Sequence, residues 1–101
     1  MIVYNVTTKV NHDIVNEWLD WQKNEHIPEI IATKIFDDYK IYRLFEHDDE
    51  EGLTFTIQYF TTSLERYHLY ISSFAQALRN KAFAKWGNQF AAFNSVMKLV
   101  Q

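Results

Sequence analysis

Apolar residues along this chain recur at two different spacings, and the order in which those spacings follow one another limits the possible folds more than any single residue does. In IVYNVTTKV, Ile2, Tyr4, Val6 and Val10 fall on one side of an extended chain, with Val3, Asn5, Thr7 and Lys9 on the other. That alternation is the signature of a strand. After Asn11, a good N-cap residue, the spacing changes to three and four at Ile14, Val15, Trp18, Leu19 and Trp21, which predicts a helix running to about Glu25. Pro28 disfavours helical angles at Ile27, so a break is expected there, followed by a second short helical piece over Pro28–Ala32 at a changed angle.

The stretches YKIYRLFE (39–46) and LTFTIQYFTT (53–62) are rich in β-branched and aromatic residues and flank the polar, glycine-ended HDDEEG. They predict a hairpin. Thr62 followed by Glu65 offers a capping box for a second long helix, in which Leu64, Tyr67, Ile71, Phe74, Leu78 and Ala82 keep helical spacing until Gly87 closes it. The final FAAFNSVMKLV (90–100) is apolar on both sides and reads as a strand lying between two neighbours.

The resulting order, β-α-β-β-α-β, is that of an α+β, ferredoxin-like fold: a four-stranded antiparallel sheet with two helices on one face. Tyr4, Phe55, Ile57 and Tyr59 are expected beneath the helices. Val3, Asn5, Thr7, Thr54, Thr56, Gln58 and Phe60 are then left on the open face, a mixture too apolar for a solvated surface and too polar for a dry core. A homodimer formed through the open sheet face is the expectation.

With 101 residues, 48% of them apolar and 17% aromatic, the chain has the size and burial capacity of a single domain, 1–101. It contains no cysteine, which excludes disulfides, thiolate metal sites and a cysteine nucleophile. A net charge of −3 without a Lys or Arg cluster argues against nucleic acid and anionic membranes as partners. No apolar run is long enough to cross a bilayer, and MIVYNVTTKV lacks the basic start of a signal peptide, so a cytoplasmic protein is expected. HDDEEG lacks the spaced ligands of a calcium loop, and His12, His47 and His68 fall on separate elements, so no metal site is expected.

The segments MIVYNVT, EWLDWQKNEHIPEI, IQYF and KWGNQFAAF together resemble a small bacterial domain-of-unknown-function family within the dimeric α/β barrel superfamily. The resemblance spans nearly the whole chain and implies the ferredoxin-like fold and dimerisation; separately, no cofactor is expected. The wider superfamily includes cofactor-free monooxygenases, haem-degrading enzymes, small isomerases and ligand-sensing domains, so the resemblance does not select a reaction.

Candidate chemistry concentrates in NEHIPEI. There Gln22, Glu25 and His26 replace apolar residues where the stripe of Trp18 and Trp21 ends. One reading is a helix emerging into water, with His26 at the negative end of the helix dipole. The other is a pocket in which Trp18 or Trp21 stacks on a flat ligand beside Gln22, while Glu25 and His26 exchange a proton with it. Monooxygenase-like members of the superfamily use an Asn, Trp and His set, which draws attention to Asn5, although Asn5 is expected on the open face. The leading expectation is an uncharacterised homodimeric protein that serves as a small-molecule binding or interaction module, a small apolar or aromatic compound being the candidate ligand. The alternative is a cofactor-independent monooxygenase-like or isomerase-like enzyme using His26, Glu25, Trp21 and Asn5.

Overall fold

The computed structural model describes residues 1–45 and 48–101. Strands β1 (Ile2–Asn11), β2 (Asp38–Arg43), β3 (Gly52–Thr61) and β4 (Phe90–Lys98) form one antiparallel sheet in the order β2-β3-β1-β4. Between β1 and β2 lie α1 (Val15–Trp21), a π-helical turn (Gln22–His26) and α2 (Ile27–Ile31); between β3 and β4 lie α3 (Leu64–Tyr70), a second π-helical turn (Ile71–Ala75) and α4 (Gln76–Trp86). This is the expected ferredoxin-like arrangement, with both helical segments on one face. Among the described residues, no helix is long and apolar enough to cross a membrane.

The register explains which side chains face the helices. β1 pairs Tyr4 with Tyr59, Val6 with Ile57 and Thr8 with Phe55, all on the inner face. The intervening pairs Val3–Phe60, Asn5–Gln58 and Thr7–Thr56 stand on the open face, as the alternation in the sequence required. On the inner face Tyr4, Phe55, Ile57 and Tyr59 join Trp18, Trp21, Ile27, Ile30, Tyr70, Leu78 and Trp86 in one core. Ile35 and Phe36 close its end, where the Phe36 ring meets Tyr70 edge-on with centroids 5.0 Å apart.

The two π-helical turns overturn two expectations. The helix does not break before Pro28: Ile27 keeps helical angles (φ −59°, ψ −46°) and its N–H bonds to the carbonyl of Gln22, five residues back. The widened turn resets the ladder, so Pro28 stands in the first turn of α2, where its missing N–H is not needed. The second turn shifts the buried face of the other helical segment. Of the expected stripe, Leu78 is buried and Tyr67, Ile71 and Ala82 pack half-buried against the core, whereas Leu64 and Phe74 are exposed and Tyr70, Ala75 and Trp86 are buried in addition.

Three further expectations change. Ser63, not Thr62, caps α3, its hydroxyl accepting from the Arg66 amide at 3.2 Å from an extended conformation. The residue three places after Ser63 is Arg66, so no capping box forms; its guanidinium instead donates to the carbonyls of Lys34 and Ile35 and to Thr61 Oγ1. β2 ends at Arg43, short of the expected Glu46, and part of HDDEEG lies outside the described residues. β4 pairs only with β1 and is an edge strand of this sheet, not one flanked on both sides. Its apolar residues on the open face, Phe93 and Met97, are exposed beside Thr7 and Val3.

Candidate functional site

The helices cover β3 and β1 more fully than β4, and the uncovered part of the inner face is the floor of a cavity of about 370 Å³, open on one side. β1 and β4 supply Val6, Thr8, Ala92 and Asn94 to this floor. Trp18, Trp21, Gln22 and His26 form one wall; Tyr70, Leu78, Arg79, Ala82 and Phe83 form the other. Its volume falls in the range of small-ligand pockets, and its lining is mostly aromatic and aliphatic with a few polar groups.

The first π-helical turn builds the polar wall. A turn closed by i→i+5 bonds places residue 26 over residue 21, and the His26 and Trp21 rings stack with centroids 4.5 Å apart and planes 20° from parallel. Trp86 meets Trp21 edge-on at 5.9 Å. His26 is therefore a cavity residue beside a continuing helix, not the end of a helix in water. Burial pushes its pKa down to about 4, opposed by the negative charge of Glu29 and aided by the positive charge of Lys81. Its imidazole is neutral near pH 7. Lys81 and Glu29 themselves join α4 to α2 through an ion pair of 2.6 Å.

Among the described residues, His26 Nδ1 and Gln22 Oε1 are buried without a hydrogen-bond partner. Buried polar atoms are normally paired. Asp49 Oδ1, Thr54 Oγ1 and Trp86 Nε1 are likewise unpartnered, and of these five residues Gln22 and His26 are the two that line the cavity.

The candidates named from the sequence separate into two groups. Trp18, Trp21, Gln22 and His26 come together in the cavity wall. Glu25 is exposed and does not line the cavity, and the acid whose charge reaches His26 is Glu29. Asn5 lies on the opposite face of the sheet, where its amide donates to Thr7 Oγ1 at 3.1 Å. The quartet of His26, Glu25, Trp21 and Asn5 thus does not converge. Sequence reasoning missed Tyr4, Tyr70 and Arg79. Arg79 donates to the Tyr4 hydroxyl at 3.1 Å, which joins α4 to β1 at the cavity. Ala75, Arg79, Ala82 and Trp86 follow helical spacing, a signal hidden by the stripe of apolar residues that precedes the second π-helical turn.

A domain-of-unknown-function family, DUF4286, matches residues 1–100, and the chain belongs to it. No curated protein matches the chain by sequence. Several solved structures share its fold. A dimeric ferredoxin-like protein from an uncultured marine organism superimposes with a TM-score of 0.75 at 11% identity, covering 99% of this chain and 95% of that one. An ethyl tert-butyl ether (EthD) family protein from Bacillus halodurans gives 0.72 at 13% identity, with 99% and 100% covered. SnoaB, a cofactor-independent oxygenase from Streptomyces nogalater, gives 0.67 at 11% identity, with 99% and 94% covered. At these identities the likeness is one of fold.

Proposed function

We propose that this member of the DUF4286 family is a homodimeric small-molecule binding protein whose ligand is a small, flat, apolar or aromatic compound held in the cavity between the helices and the sheet. The observation that carries this reading is the cavity wall itself: stacked Trp21 and His26 rings offer a flat apolar surface, and unpartnered Gln22 Oε1 and His26 Nδ1 offer hydrogen-bonding positions beside it. Stacking and burial would supply affinity, while the two polar atoms would set orientation. Dimerisation would use the open face, where Val3, Phe60, Met97, Phe93 and Tyr42 form an apolar band among Thr and amide side chains. The dimeric ferredoxin-like protein of the same fold supports that assembly. The absence of cysteine fits a cytoplasmic protein.

A direct test adds 2-naphthamide, a flat neutral probe, and follows the His26 ring protons and tryptophan indole signals by NMR. Shifts at His26 and at one or more indoles that disappear in an Ala82→Trp variant, whose added ring would fill the cavity, support the reading. Unchanged spectra at millimolar probe sink it. Light scattering tests the assembly: a dimer is expected, weakened by Val3→Asp, which places a charge in the apolar band.

A second reading is a cofactor-independent enzyme, favoured by one observation. His26 Nδ1 is buried in the cavity wall without a partner, which leaves a ring nitrogen within reach of a bound substrate. This reading rests on His26 with Trp21 and Gln22, since Glu25 and Asn5 lie elsewhere.

A further inference from the structure

We infer that the ligand of this cavity is an anion, a flat aromatic carboxylate or a compound of equivalent charge, whose negative group is held by Arg79; the inference rests on the binding reading above. Among the described residues, Arg79 is the one Lys or Arg that lines the cavity, and no aspartate or glutamate lines it. Its one hydrogen bond among the described residues goes to the Tyr4 hydroxyl at 3.1 Å. A guanidinium carries five N–H donors in a planar fork. A single phenol accepting one of them leaves most of that donor capacity for an incoming acceptor. Arg79 is exposed at the open side of the cavity, and the Tyr4 contact anchors its fork to the inner face of β1 there.

The neighbouring charges favour the same sign of ligand. Of the lysines that follow on α4, Lys81 is paired with Glu29 at 2.6 Å and Lys85 lies over the Trp86 ring, 5.2 Å from its centroid. His26 on the facing wall is neutral, so it neither repels a cation nor competes with Arg79 for an anion. A cationic ligand would meet Arg79 with no carboxylate to offset it, whereas a carboxylate would gain charge-assisted hydrogen bonds in a partly desolvated site. The aromatic body of such a ligand would then lie toward Trp21 and His26.

The experiment compares three probes of one shape, 2-naphthoate, 2-naphthamide and 2-naphthylmethylamine, by tryptophan fluorescence titration of the protein and its variants. The expected order is carboxylate first, by about tenfold over the amide, with the amine weakest. In Arg79→Gln the carboxylate should lose its advantage and fall to the level of the amide measured in the same variant. Arg79→Lys should recover most of the carboxylate preference, and circular dichroism melts check that each variant is folded. Equal binding of carboxylate and amide to the parent, or a preference that survives in Arg79→Gln, overturns the anion assignment alone and leaves the binding reading standing. Failure of all three probes to bind overturns both.

Discussion

Acidification should destabilise this protein through His26, and the size of the effect follows from its surroundings. An unfolded histidine titrates near 6.5, whereas burial against Trp21 brings the folded value down to about 4. Between those two values the unfolded chain binds a proton that the folded chain excludes, so folding stability rises with pH across this window. The contribution is fully present above pH 6.5, is lost as pH falls, and is exhausted below pH 4. At roughly 1.4 kcal/mol per pH unit, the loss amounts to about 3 kcal/mol, a large share of the stability of a small domain. Urea unfolding of the parent and of a His26→Phe variant at several values between pH 4 and pH 7.5 isolates this contribution, because the phenyl ring keeps the stacking surface but does not titrate. The parent should lose about 3 kcal/mol more than the variant over that range. NMR titration of the His26 ring gives the folded value directly, and Lys81→Met should raise it by removing a nearby positive charge. A midpoint near 6.5 in the folded protein, or parallel losses in parent and variant, would refute the reasoning.

Arg66→Met should destabilise the fold by roughly 1–3 kcal/mol in urea unfolding, since it strips donors from the Lys34 and Ile35 carbonyls and from Thr61, which is fully buried. Gly52→Ala should lower the melting temperature and cost about 1–3 kcal/mol or more, because a Cβ there would stand 2.2 Å from the Val10 carbonyl oxygen in the adjacent strand. A melting temperature equal to that of the parent would show that β1 and β3 can separate locally without cost. Trp18→Ala should cost about 3–5 kcal/mol by the usual large-to-small penalty, since the side chain is 1% exposed and packs on Phe55 at 5.5 Å. A variant that melts like the parent would mean that Trp18 contributes a cavity wall and little core packing.

The sequence by itself determined the element order, the faces of β1 and β3 and the Gly87 helix end; Asn11 caps a short 3-10 turn (His12–Ile14) that precedes α1 and not α1 itself. Each feature so determined depends on neighbours a few residues apart: the alternation of IVYNVTTKV and LTFTIQYF leaves only one way to bury Tyr4, Tyr59 and Ile57 together, and Gly87 adopts φ +59°, which other residues resist. The tertiary structure decided the rest. A π-helical turn has no residue signature comparable to a cap, and here it lies between Trp21 and Ile27, with Trp21, Ile27 and Ile30 all buried in the core. That turn carried His26 into the cavity, left Glu25 in solvent and removed the break expected at Pro28. Arg79 became a cavity residue because the second π-helical turn rotated α4 and because β4 lies at the edge, where the helices leave its inner face uncovered. Those placements depend on contacts between residues far apart in the chain, such as Arg79 with Tyr4 and Lys81 with Glu29, and local periodicity carries no record of them.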